Sequence, residues 1–514
     1  MTSNNIWLLI QSMSPQEKRF FRRDYALYDK EKELPLYLAL FDVINKQNDY
    51  EESDLLKQLQ PRLKASNISY TKNYLYEQIC AALLQQNQEQ DWDVQIFRML
   101  QLIRVFRKKG LYKQALKIWH KAIAQARALE LFGLILQLKE EYRKLQLYHN
   151  PKITNPELQN EYNNNILYSS EFTNLIKLQE LHFSALIIRR KTHFNLLPED
   201  KEKVDTILQE PIMQDEPKTN SFLIRHYYRM TKATLLYVLN DTRSYQFAYQ
   251  NVRAWQETMQ HVIYDQDNYI EVLYIFYYSA VLAKDTSKIE KVMNHPVNQK
   301  VATESNFAYV ETIKYLALNR LYNRNGNYEK VAEILAYIKT KFVQWSKHIN
   351  VELARTLYLS VGVANFALEQ FDDAFYYIKQ SLLLFNDKTR EEQYSFAYLF
   401  LLLICYEKGE QYLFEVQYKS SYAYFYRNKM PLPFEKNTIQ SLAKAFNCTN
   451  KKDKKVIFLA LLQSLQESQN DPVQQQVFNF FNVPRWLESK TKGIPYKELV
   501  YLQVSSEKNQ GMAL

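Results

Sequence analysis

Glycine is scarce in this sequence. The 514 residues include seven: Gly110, Gly133, Gly326, Gly362, Gly409, Gly493 and Gly511. Neither GxGxxG nor a GxxxxGK loop followed by Ser or Thr can be assembled from them. Phosphate-cradling loops of that kind need glycine where the backbone approaches the ligand, so the common nucleotide-binding α/β folds drop out. Hairpin-rich β folds need turn glycines and drop out with them. Cysteine is scarcer still. Cys80, Cys405 and Cys448 are odd in number and far apart, which is neither a disulfide framework nor a zinc spacing. Such usage suits the reduced cytoplasm. Long apolar runs are missing as well. The longest, Phe396 to Tyr406, is about half the ~20 residues that a membrane span needs and fits a buried helix better. The opening MTSNNIWLLIQSMS has no basic stretch before its short apolar run, so no secretory signal is expected.

Catalytic patterns are equally thin. No two of the eight histidines lie three or four residues apart, and HExxH and GxSxG are missing. The sequence therefore predicts no enzyme, no cofactor and no metal site. What it does contain is Leu, Lys, Glu, Gln and forty tyrosines, joined by few breakers. Pro296 is the only proline between Pro217 and Pro431. This is the composition of helices connected by short polar turns.

The helices repeat. KKGLYKQALKIWHKAIAQA places Gly110, Tyr112, Ala115, Trp119 and Ala122 in one turn and the helix after it. NRNGNYEKVAEILAYI repeats the pattern with Gly326 and Tyr328, and VGVANFALEQFDDAFYYIKQS with Gly362, Phe371 and Ala374. Weaker copies lie at Tyr245 to Val252, at Thr286, Ile289 and Met293, and from Gly409 to Tyr418. The small or apolar positions Ala248, Ile289, Val331, Ala374 and Phe414 follow one another in steps of 41, 42, 43 and 40 residues. Val204 lies 44 residues before Ala248, and Ala115 lies 89 before Val204, close to two further steps.

This pattern resembles the tetratricopeptide (TPR) helix-turn-helix signature, lengthened by about one turn per helix. The resemblance implies an all-α, right-handed α-solenoid of TPR-like helix pairs, repeating every 40–44 residues. The patterns LIQSMSPQEKRFFRR, YLALFDVINKQ, TKNYLYEQI and FNFFNVPRWLESK also resemble uncharacterised helical-repeat proteins of Bacteroidota, which bring no activity with them.

The expected organisation is an N-terminal helical cap over residues 1–90, repeats over 91–430 and a C-terminal helical cap over 431–514. Ser14-Pro15-Gln16-Glu17 reads as a capping box opening a helix. Further cap helices are expected over Pro35–Asn45, Glu51–Leu59 and Ser69–Leu84. At the other end, helices over Phe434–Phe446, Lys454–Gln466, Pro472–Phe481 and Tyr496–Gln503 are expected to close the solenoid.

Charge is the remaining signal. The chain carries +10, and residues 94–129 carry nine Lys/Arg with no acid at all. Lys113, Lys117 and Lys121 share one helix face, and Arg104 and Lys108 share a face of the preceding helix. Such a run is a solvated outer face, a patch for an acidic protein or peptide, or a nucleic-acid contact. Our reading of function is a non-enzymatic protein–protein interaction scaffold in the cytoplasm, with Arg104, Arg107, Lys108, Lys113, Lys117 and Lys121 meeting an acidic partner. Reversing Arg104 and Lys108 is expected to weaken capture without unfolding the chain. The alternative is a nucleic-acid-linked regulator with an N-terminal helix-turn-helix-like domain and the TPR-like repeats as its sensor domain. Eleven Lys/Arg against twelve Asp/Glu in residues 1–90 disfavour nucleic acid. An α/α-toroid enzyme fits least, because it would need long loops at one rim.

Overall fold

The computed structural model describes residues 5–26, 34–47, 49–87, 92–149, 155–192, 198–285, 287–300, 304–346, 348–384, 391–428, 431–468, 474, 477–478 and 480–511. Among them there are helices and turns and no strand. The chain forms two compact units, Met1–Asn165 and Ile166–Leu514. The expected boundary at 90 falls inside the first and that at 430 inside the second.

The first unit opens with α1 (Asn5–Ser12), α2 (Pro15–Ala26), α3 (Leu36–Lys46), α4 (Glu52–Leu59) and α5 (Ile68–Asn87). Their shared core holds Ile10, Phe21, Phe41, Leu55, Leu75 and Ile79. The capping box forms as expected. Ser14 Oγ accepts from the Glu17 amide at 3.2 Å, and the Ser14 amide donates to Glu17 Oε2 at 2.7 Å. Helix α1 comes in addition to the four expected cap helices, and its apolar residues Ile6 and Ile10 are buried. Then come α6 (Trp92–Lys108), α7 (Tyr112–Ala128) and α8 (Phe132–His149). Gly110 turns α6 into α7 with a φ of 73°, a left-handed conformation that glycine adopts without a Cβ penalty. Ala115, Trp119 and Ala122 are buried on α7, and Trp119 Nε1 donates to the Leu138 carbonyl at 2.7 Å.

The long helix α9 (Asn155–Thr192) carries the chain past the division and is followed by α10 (Pro198–Gln209) and α11 (Pro211–Gln214). Between Ala115 and Val204 the spacing suggests one more regular pair; the chain instead places α8 there, followed by this continuous helix of 38 residues. Regular pairs then begin. They are α12 (Phe222–Val238) with α13 (Ser244–Glu257) and, after the short α14 (Met259–Tyr264), α15 (Gln266–Ala283) with α16 (Ile289–Met293). Next come α17 (Glu304–Arg324) with α18 (Tyr328–Trp345), α19 (Val351–Ala367) with α20 (Phe371–Leu383), and α21 (Glu391–Lys408) with α22 (Gln411–Ala423). Between the two helices of each pair lies one left-handed residue: Asn240, Lys284, Gly326, Glu369 and Gly409, spaced by 40–44 positions. The register positions Ala248, Ile289, Val331, Ala374 and Phe414 are all buried. The fold is thus an all-α array of TPR-like helix pairs.

Two pairs show local detail. Gly362, inside α19, faces Ile378 of α20 so closely that a β-carbon there would lie 2.5 Å from Ile378 Cδ1. The second helix of the α15/α16 pair is only five residues long, because Pro296 follows and diverts the chain into a 3-10 turn. Thr286 lies outside the described residues.

The apolar stretch Phe396–Tyr406 is part of α21, with Phe396, Ala397 and Leu399 to Cys405 buried. No described helix is long and apolar enough to cross a membrane. The chain ends with α23 (Pro433–Asn447), α24 (Lys451–Glu467), α25 (Val483–Lys492) and α26 (Tyr496–Gly511). Of the expected helix Pro472–Phe481, residues 472, 473, 475, 476 and 479 lie outside the described residues.

This C-terminal segment does more than close the last repeat. Phe480 stacks on Phe396 of α21, Phe481 packs tilted against Phe400, and Phe481 also reaches Phe366 of α19 at 5.2 Å between ring centres. Glu407 of α21 takes Lys490 at 2.6 Å and Trp486 Nε1 at 2.5 Å. Farther back, Val500 meets Gly326. The segment therefore lies along the first helices of three successive pairs.

Candidate interaction surfaces

In the first unit, α6 is amphipathic in an unusual way. Ile96, Leu100 and Ile103 are buried on one side. The opposite side leaves Phe97, Leu102 and Val105 exposed by 48%, 45% and 44%. At helical spacing these three alternate with Arg98, Arg104, Lys108 and Lys109, so one face mixes apolar surface with positive charge. On α7, Lys113, Lys117 and Lys121 are all exposed, in a row.

The sequence shows no acid among these cations, but the fold supplies one. Glu141 of α8 is buried and accepts from Arg104 Nε and Arg107 Nε, each at 3.1 Å, with Lys144 at 3.6 Å. Burial alone would raise the Glu141 carboxyl; the two arginine hydrogen bonds outweigh it and hold it below its usual value. Reversing Arg104 therefore carries a structural cost that the sequence does not show. A glutamate there would face Glu141 and remove a charge-assisted bond, destabilising the first unit by about 1.5–3 kcal/mol. Arg104 keeps its exposed edge, Arg107 is mostly covered, and Lys108 and the α7 lysines stay in solvent. Spacing within α6 could not reveal Glu141, because the pair joins residues more than thirty positions apart.

In the second unit, two cavities open along the first helices, on the side that the C-terminal segment covers. One, of about 210 Å³, contains Arg189, Glu271 and Tyr274. The other, of about 330 Å³, lies between α15, α17, α19 and the segment from Phe478 to Val504. Neither was legible in the sequence, since their walls come from helices one to four repeats apart. The same unit holds a buried histidine group against Phe222 and Trp255. His226 Nδ1 accepts from Trp255 Nε1 at 2.9 Å, and His261 stacks on Phe222 at 4.2 Å. Burial pushes His182 and His261 down to about 4 and His226 down to about 3, so all three are neutral at pH 7. Among the described residues no group of three or more His, Cys, Asp and Glu could hold a metal ion.

No protein-family model matches the chain, and no curated protein matches it. Among solved structures it is similar to a signal transduction ATPase with numerous domains (STAND) that carries a tetratricopeptide repeat sensor, from Pyrococcus horikoshii. The two are 14% identical, the match covers 87% of this chain and 68% of that one, and the TM-score is 0.35.

Proposed function

We propose that the chain is a non-enzymatic adaptor whose α6 face takes up an acidic segment of a partner protein. The observation that carries this reading is that Phe97, Leu102 and Val105 are exposed around the solvent side of α6, between Arg98, Arg104 and Lys108. Large apolar side chains left in solvent on one helix face lose water when a partner covers them. The cations around them select a partner of opposite charge and speed its approach. Glu141 adds preorganisation: it holds the Arg104 and Arg107 side chains in place before a ligand arrives, so less side-chain entropy is lost on binding. Lys113, Lys117 and Lys121 stand at the edge and act through long-range attraction. In the second unit the first-helix side already carries Phe480, Phe481 and α26, which leaves less room there for a partner segment.

The test is a photo-crosslinking amino acid placed at Val105, with an equivalent probe at the exposed Val456 of α24 as control. Crosslinks from Val105 that map to an Asp/Glu-rich segment of one protein, and that Val456 does not give, support the reading. Identical products from both positions contradict it.

A further inference from the structure

Helix α9 holds no glycine, and its one proline is Pro156 near the start, so nothing in its interior breaks it. In its second half one side carries Leu175, Leu178, Ala185 and Ile188, all buried. The other side carries Ile176, Phe183 and Ile187, seven and four residues apart and so in one line. These three are exposed by 45%, 61% and 38%. Beside Ile187 a cavity of about 320 Å³ opens between α9 and α10, walled chiefly by Ile187, Ile188 and Ile207. Its two charged lining residues, Asp200 and Lys203, stand 3.7 Å from each other. Phe183 is not among the lining residues. A bulky ring thus projects into solvent one helical turn from an apolar hollow that it does not fill, and a patch of this kind marks an interaction surface.

We propose that a second copy of this chain covers the surface, in a two-fold dimer that sets Phe183 of each copy against the α9/α10 hollow of the other. Ring and hollow adjoin on one face, which is what a self-complementary interface requires. The charges fit the same partner. Lys177 is held by Glu210 at 2.8 Å and Arg189 by Glu271 at 2.6 Å. Glu180 and Arg190 are exposed on the side of Phe183, and they lie equally far before and after Ala185. Arg190 borders the smaller cavity as well, and its side chain stays in solvent. An antiparallel pairing of α9 about the level of Ala185 puts Phe183 beside Ile187 of the second copy. It also brings Glu180 to the height of the second copy's Arg190, and symmetry repeats both contacts. The register that would set Ile176 on Ile187 instead brings the two Glu180 carboxylates within about 5 Å along the axis, and like charges disfavour it. The paired stretch is about four helical turns, which suits a reversible dimer rather than an obligate one. This surface lies in the second unit and does not rest on the α6 reading.

Sedimentation velocity of the full chain, from about 1 to about 100 µM, tests the proposal, with circular dichroism confirming that each variant is folded. The wild type is expected to pass from monomer to dimer within that range. Phe183→Glu should raise the dissociation constant at least about 100-fold, since it removes the central apolar contact and places an acid in the hollow. A second pair of variants leaves the ring untouched. Glu180→Arg and Arg190→Glu should each weaken the dimer, and the two together should restore it, because the exchange renews the opposite charges. Leu102→Glu with Val105→Glu, on α6, should leave the dimer as it is. A wild type that stays monomeric to about 100 µM overturns the proposal. So does a dimer that survives Phe183→Glu, a charge exchange no better than its single reversals, or a dimer lost in the α6 variant, which would place the contact on α6.

Discussion

Gly326 and Val500 touch: a β-carbon built on Gly326 would lie 3.3 Å from Val500 Cγ1 and 3.4 Å from the Tyr501 backbone. A turn in the middle of the array and the last helix of the chain are therefore one packed unit. Gly409 has the same left-handed φ, yet nothing lies within 4 Å of its missing Cβ. Replacing either by Ala forces a left-handed conformation on a residue that resists it, a cost of about 1–2 kcal/mol. Gly326→Ala should lose about 1 kcal/mol more than Gly409→Ala in urea unfolding, because the added methyl crowds α26. Equal losses would mean that α26 does not sit against this turn.

The α19/α20 contact gives a second comparison. Gly362→Ala should destabilise the chain by about 1–3 kcal/mol, since Ile378 must move. In an Ile378→Ala background the same change should cost far less, as the obstructing atoms are gone. Additive losses in that cycle would show that the two helices approach elsewhere.

The repeat was legible because its physics is local. A residue that must leave α6, α17 or α21 in a left-handed turn favours glycine, and Gly110, Gly326 and Gly409 announce those turns. The same geometry at Lys284 is held by a residue with no preference for it, so composition alone hid that turn, whereas the turn at Glu369-Gln370 was legible from the repeat pattern around Phe371 and Ala374. Ala115 and Ala374 were legible for a related reason: a tight helix contact leaves room for little else. What the sequence could not show were meetings set by packing across repeats. Glu141 under Arg104, Trp486 on Glu407 and Val500 over Gly326 join positions whose distance along the chain carries no period. The basic run was visible as charge, and its apolar half went unread, because Phe97, Leu102 and Val105 look like core residues until the fold turns them outward.

The buried histidines set the acid limit of the second unit. His182, His226 and His261 are held below their ordinary value by burial, with Glu271 and Asp265 opposing that shift at His182 and His261, and Arg189 and Arg229 reinforcing it at His182 and His226. A group whose folded pKa is lowered stays neutral in the fold while the unfolded chain takes up a proton. Stability is thus intact above pH 6.5 and falls as the pH drops toward about 4, or about 3 for His226. Each histidine steepens the fall by about 1.4 kcal/mol per pH unit within its window. Urea unfolding at pH 7 and pH 5 should show this loss, and in His226→Gln the loss should shrink by about 2 kcal/mol. An unchanged pH dependence in that variant would mean that His226 does not stay neutral in the fold.

The adaptor reading rests on apolar contact at α6, guided by charge. Leu102→Glu with Val105→Glu replaces two exposed apolar side chains by acids and leaves Ile96, Leu100, Ile103 and the Glu141 pairs in place. The direct measurement is the dissociation constant of the partner segment crosslinked at Val105, compared between the wild type and this double variant, with unfolding curves confirming that both are folded. We expect binding at least about 100-fold weaker in the double variant, from lost apolar burial and new like-charge repulsion. Wild-type affinity in a folded double variant would contradict the account.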